Sequence, residues 1–163
     1  MSSLNTDGIV LVDKPEGPTS HDVVSAIRKI FGTRKVGHAG TLDPMATGML
    51  VLGLGKATRL LGHLSASDKE YVATMRLGMA TETDDAQGTI TATASADHIT
   101  DDQILAVVRT FRGPIMQRPS SVSAIKVQGK RAYARVRDGE EVELPEREVV
   151  VQDIEILEIA RNA

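Results

Sequence analysis

The 163-residue chain contains no cysteine. That removes disulfides, thiolate zinc sites and thiol nucleophiles, and it fits a reducing compartment. Its start, MSSLNTDG, lacks the basic and apolar regions of a secretory signal. Apolar runs such as Met49 to Leu52 fall far short of the ~20 residues needed to cross a bilayer. A cytoplasmic protein with no membrane partner is therefore expected. Aromatic residues are scarce, two Tyr and two Phe, so few side chains could offer a flat stacking surface. What remains is ordinary: 41% hydrophobic and 25% charged residues suit a globular chain, and the length suits one domain with one core.

The formal net charge of −3 conceals strong segregation. Residues 109 to 137 carry eight basic side chains and no acid: Arg109, Arg112, Arg118, Lys126, Lys130, Arg131, Arg135 and Arg137. Residues 138 to 163 carry nine acidic against two basic. The basic block is a candidate polyanion-binding surface. The competing reading is that it pairs with the acidic block that follows it.

Gly8 to Val12 reads as a buried strand ending at Asp13-Lys14-Pro15. A helix follows, with Ser20 as N-cap, an apolar stripe of Val23, Val24, Ile27, Ile30 and Phe31, and Gly32 as its stop. Gly37 to Pro44 (GHAGTLDP) has no apolar period and is expected to be a loop. Met49 to Leu52 should be a strand, Ala57 to Leu64 a short helix, and Lys69 to Leu77 a half-buried strand by its alternation. Thr81 to Gly88 reads as an acidic turn and Thr89 to Ala94 as a partner strand. Thr100 and Gln103 form a capping box ahead of Ile104, Leu105, Val108 and Phe111, with Gly113-Pro114 as the end of that helix. Ser123 to Val127 looks extended, Lys130 to Asp138 a short basic helix, and Val149 to Ile159 a strand. Strands and helices mixed irregularly give an α+β fold.

Several chemistries fail on spacing. In GMLVLGLGK (Gly48 to Lys56), Leu50 stands where a phosphate loop needs glycine, and Thr58 occupies the last glycine of a dinucleotide fingerprint. His21, His38, His63 and His98 lie too far apart for metal-ligand spacing, so no metal is expected. No G-x-S-x-G elbow supports a serine hydrolase. Asp43 stands out because Gly37 and Gly40 allow close approach or positive φ, while Pro44 steers Asp43 away from helical backbone. On its own, such an Asp also suits an Asx-turn.

The segments DKPEGPTSHDVV (Asp13 to Val24), RKVGHAGTLDPMATGMLVLGLGKATRLL (Arg34 to Leu61), KEY (Lys69 to Tyr71) and SAIKVQGKRAYARVRDGE (Ser123 to Glu140) together resemble the TruB-type tRNA pseudouridine-55 synthases, a family that includes the dyskerin-like enzymes. The match runs in order along nearly the whole chain. GHAGTLDP followed by TGMLVL is its most specific part. The resemblance implies a pseudouridine synthase fold, a mixed and mostly antiparallel sheet flanked by helices. It implies that residues 1 to 163 are the N-terminal part of the catalytic domain, truncated before a further Tyr/Arg segment and any C-terminal RNA-binding domain. Where many family members carry a proline and an aromatic residue, this chain reads Pro119-Ser120-Ser121-Val122.

The implied activity is isomerisation of a T-loop uridine of tRNA, position 55, with Asp43 as catalytic aspartate and no cofactor. Tyr71 would line the uridine pocket, and His38 would fill the space left by the flipped base. Lys14, in the early KP motif, would have a structural or phosphate-contact role, and Lys126, Lys130 and Arg131 would meet the RNA backbone. The plainer alternatives are a core-facing strand tyrosine for Tyr71 and a loop hydrogen bond for His38. The expected partner is tRNA, through its T-loop and T-stem, bound by a monomer. Two other functions stay open: an RNA-binding or RNA-folding module without turnover, and a nucleoside hydrolase, which would release free uracil.

Overall fold

The structure, a computed structural model, describes residues 6–119, 126–127, 130–131 and 144–161. It divides into two compact units, Met1–Val72 and Ala73–Ala163.

The first unit is built on three strands. β1 (Gly8–Lys14) and β2 (Val36–Ala39) flank β3 (Gly48–Leu54), and both pair with it antiparallel. Strand period two sends Val10, Val12 and Lys14 to one face of β1, opposite Leu52, Leu50 and Gly48 of β3. Helix α1 (Ser20–Phe31) covers that face with Val23, Val24 and Ile27, which join Val36, Leu50, Leu52 and Leu54 in the core. On the other face, a 3₁₀ turn (Gly55–Leu60) and α2 (Leu61–Ser65) lie over Gly53 and Gly37. Ile9, Leu11 and Met49 of the sheet are exposed.

The second unit contains β4 (Met79–Thr81) paired with β5 (Ile90–Thr93), then α3 (Asp101–Arg109), and β6 (Gly113–Gln117) paired with β9 (Arg147–Val151). β7 (Lys126–Val127) and β8 (Lys130–Arg131) form a small hairpin. Every described strand pair is antiparallel, as an α+β fold of this kind requires.

Several local expectations need correction. The cap of α1 is Thr19, not Ser20: Thr19 and Asp22 close a capping box, and Gly32 ends the helix in the left-handed region. Gly37 to Ala39 belongs to a strand, because the open edge of β3 supplies a ladder that local sequence does not announce. Lys69 to Leu77 forms no strand; Tyr71, Val72 and Met75 are all exposed, and β5 pairs with Met79–Thr81 instead. Lys130–Arg131 is extended, not helical, since it pairs with Lys126–Val127. The strand expected over Val149 to Ile159 stops at Val151. The rest of the two segments expected to be extended and helical, residues 123–125 and 132–138, lies outside the described residues.

Candidate active site

Asp43 sits in the connection between β2 and β3. Gly40 opens it with φ +87° and Gly48 closes it with φ +117°, conformations that a side chain strongly disfavours. Gly37 answers a different need: a Cβ there would lie 2.9 Å from Leu61 Cδ1, so its bareness lets α2 approach.

The residues on either side of Asp43 are pinned. Before it, Leu42 packs against the core, and the Ser20 hydroxyl, itself buried, both donates to the Leu42 carbonyl and accepts from the Leu42 amide, at 2.9 Å each. After it, the Pro44 carbonyl accepts from the Gly17 amide at 2.8 Å and from Lys14 Nζ at 3.2 Å. Asp43 itself is exposed, and its carbonyl accepts from the Ala46 amide at 3.0 Å. A carboxylate is thus presented to solvent from a backbone held at both ends.

Lys14 is fully buried. Its ammonium donates to the carbonyls of Pro15 and Pro18, each at 2.9 Å, as well as to Pro44. An ammonium has three protons, and all three are used. Of the two roles considered for Lys14, the structural one matches this geometry, since no donor remains for a phosphate. The signal was in the sequence: Val10, Val12 and Lys14 share one strand parity, so the lysine continues the core-facing row.

His38 lies on β2 opposite Leu52, and its Nδ1 bonds the Gly40 carbonyl. That fixes Nδ1 as the protonated nitrogen and ties the imidazole to the start of the Asp43 loop. Tyr71 is 69% exposed and stands in no strand, which removes the core-facing alternative. Two residues before it, Lys69 donates to the carbonyls of Ser65 and Ser67 at 2.8 and 3.0 Å. His38 therefore lies on the strand that leads into the connection holding Asp43, while Tyr71 belongs to a later segment of the same unit.

The basic block divides. Arg112 pairs with Asp153 at 2.9 Å and Arg118 with Glu146 at 3.3 Å, so part of it does meet the acidic block. Lys126 and Arg131 are register partners in the β7–β8 hairpin, as are Val127 and Lys130. Among the described residues, no group of three or more His, Asp or Glu could hold a metal, and no helix is long and apolar enough to cross a membrane.

Residues 28–163 match the model of the TruB family of pseudouridylate synthases, N-terminal domain. The tRNA pseudouridine synthase B of Corynebacterium diphtheriae is 58% identical over an alignment of 164 positions, which covers 99% of this chain and 55% of that protein. The same enzyme of a Mycobacterium species (strain KMS) is 60% identical over 154 residues, covering 94% and 52%. Among solved structures, an archaeal box H/ACA Nop10–Cbf5 complex matches with TM-score 0.51 and 39% identity over 68% of this chain and 30% of that one. An H/ACA ribonucleoprotein bound to a substrate RNA containing 2′-deoxyuridine matches with TM-score 0.50 and 36% identity, over 71% and 31%. The fold is that of the pseudouridine synthases. Within that class the chain belongs to the TruB family, and it spans about half the length of the curated relatives it matches.

Proposed function

We propose that this chain is the N-terminal part of the catalytic domain of a tRNA pseudouridine synthase, and that Asp43 is the carboxylate that isomerises a T-loop uridine. The observation that carries this reading is the double pinning of Leu42 and Pro44, which holds the solvent-facing Asp43 between them. A fixed, exposed carboxylate is what the chemistry needs. Pseudouridine formation breaks the bond between ribose C1′ and uracil N1, turns the base, and rejoins C1′ to C5; C5 gives up its proton to solvent and N1 takes one up. Asp43 can serve as nucleophile on sugar or base, or as a base at the ribose, and each route uses its ionised form. No redox step or group carrier enters, so the reaction balances without a cofactor.

The target base must leave the folded loop, at a cost of a few kcal/mol for unstacking. An exposed Tyr71 suits the role of stacking platform, worth ~1 to 3 kcal/mol per base. His38, fixed beside Gly40, is suited to occupy the vacated space. Lys126, Lys130 and Arg131, on the paired strands Lys126–Val127 and Lys130–Arg131, would hold phosphates.

Release of label from uracil C5 in a T-loop RNA tests the reading, because product and substrate have equal mass. Asp43→Asn should abolish release while RNA affinity stays within a few-fold, since it removes the charge and little volume. Release by the Asn variant would exclude Asp43 as the essential carboxylate. Binding without release by the unsubstituted chain would make it an RNA-binding module, and free uracil would make it a hydrolase.

A further inference from the structure

Ser20 is the first residue of α1, but the helix does not need its hydroxyl. Thr19 Oγ1 accepts from the Asp22 amide at 3.1 Å and Asp22 closes the box back onto Thr19. The Ser20 side chain is 3% exposed and turned instead to a residue 22 positions away, where one oxygen satisfies both the amide and the carbonyl of Leu42. Even a part-buried backbone amide and carbonyl left unpaired would be costly, so this hydroxyl holds the peptide before Asp43 in place.

We propose that Ser20 is a positioning residue for Asp43: it does not touch substrate but fixes the peptide entering the catalytic carboxylate. The proposal rests on the reading of Asp43 as the catalytic group. Leu42 has two independent anchors, its side chain in the core and its backbone on Ser20. Losing the second leaves the side chain as a pivot about which the peptide can rotate, and the Asp43 carboxylate moves with it. A displacement of about 1 Å at a reacting group can cost roughly 10²-fold in rate.

The test compares Ser20→Ala and Ser20→Cys in the chain. A thiol fills the space of the hydroxyl and somewhat more but is a poor donor and acceptor, so Cys leaves no cavity while weakening both bonds. Two readouts are taken. Hydrogen exchange at the Leu42 amide should speed by about tenfold or more in both variants, with the Leu52 amide of β3 changed by less than about twofold. Single-turnover label release should fall roughly 10- to 100-fold, while affinity for T-loop RNA stays within about threefold. Slow Leu42 exchange in Ser20→Ala overturns the proposal whatever the chain's activity. So does wild-type behaviour of Ser20→Cys, which would make packing the cause, or equal acceleration at Leu42 and Leu52, which would mean general destabilisation. Asp43→Asn is run in parallel. If it is inactive and Ser20→Ala is fully active, only the role of Ser20 falls; if it retains release, the assignment of Asp43 falls and the role of Ser20 falls with it.

Discussion

Lys14 Nζ and the carbonyl oxygen of Pro44 lie 3.2 Å apart although thirty positions separate them. The bond joins the end of β1 to the peptide that follows Asp43, and it does so with a buried charge whose other protons go to Pro15 and Pro18.

Replacing Lys14 by Met should keep most of the volume and strand these carbonyls, of which, among the described residues, Pro44 alone retains another protein donor, the Gly17 amide. The acceptors are only part-buried, so water can replace some of what is lost, and the variant should lose roughly 1 to 3 kcal/mol by denaturant titration. The salt dependence of RNA binding should not change, because no proton of Nζ is free for a phosphate. A flatter salt slope would return Lys14 to the RNA surface.

Two glycines make graded predictions. A Cβ at Gly53 would lie 2.9 Å from the Ala57 carbonyl oxygen and 3.0 Å from the Thr58 nitrogen, atoms of the 3₁₀ turn that cannot move aside alone. Gly53→Ala should therefore cost about 1 to 3 kcal/mol. At Gly37 the new carbon meets only Leu61 Cδ1, the end of a rotatable side chain, and Gly37→Ala should be milder. Melting temperatures in the order wild type, Gly37→Ala, Gly53→Ala are expected; the reverse order of the two variants would count against the tight packing of the 3₁₀ turn on β3.

Hydrogen bonds from the Thr19 hydroxyl and then the Thr19 amide hold the Asp22 carboxyl below its ordinary value. A lowered folded-state value means that the stabilisation is complete above the unfolded-state value, ~3.9, and is lost as pH falls through the folded one. Asp85 behaves likewise, held down by the Thr83 hydroxyl and the Gln87 amide. Asp22→Asn should thus narrow its stability gap to wild type as pH falls below about 4. A gap independent of pH would mean that the charged form is not what the capping box uses.

Helix α1 was legible because its signals are local: a polar cap, an acid in the first turn, an apolar stripe and a terminal glycine. Thr19 and Ser20 are both competent caps; Thr19 closes the capping box, while the Ser20 hydroxyl is engaged with Leu42. β1 and β3 were legible as apolar runs, but β2 was not, since Val36–Ala39 is made a strand by pairing with β3 rather than by its own glycine-containing composition. The alternation in Lys69 to Leu77 misled because a pattern becomes a strand only against a partner edge. At the site, Asp43 and its glycines could be found by type and spacing. The two pins could not: strand parity puts Lys14 in the core-facing row, but neither it nor Ser20 announces a partner 30 or 22 positions away.

Tyr71 tests the proposed pocket directly. Its exposed ring leaves a face for a base, so Tyr71→Phe should bind T-loop RNA almost as well as wild type while Tyr71→Ala loses ~1 to 3 kcal/mol. Equal losses would assign the effect to the hydroxyl, and two unaffected variants would remove Tyr71 from the pocket.

The basic block makes a sharper prediction now that part of it is committed. Arg112 and Arg118 are engaged with Asp153 and Glu146, and Lys130 and Arg131 form strand β8. If that strand meets phosphates, binding releases counterions, and log affinity falls against log salt by about 0.7 per contact to single-stranded RNA. Lys130→Ala with Arg131→Ala should flatten this slope and weaken all T-loop sequences alike, because backbone contacts position RNA without reading bases. Arg112→Ala should do the opposite: lower the thermal stability modestly, as expected of an exposed pair, and leave the slope unchanged. Slope and stability measured on both variants separate the two roles. An unchanged slope in the double variant would remove that strand from the RNA surface, and a flattened slope in Arg112→Ala would mean that its ion pair yields to RNA.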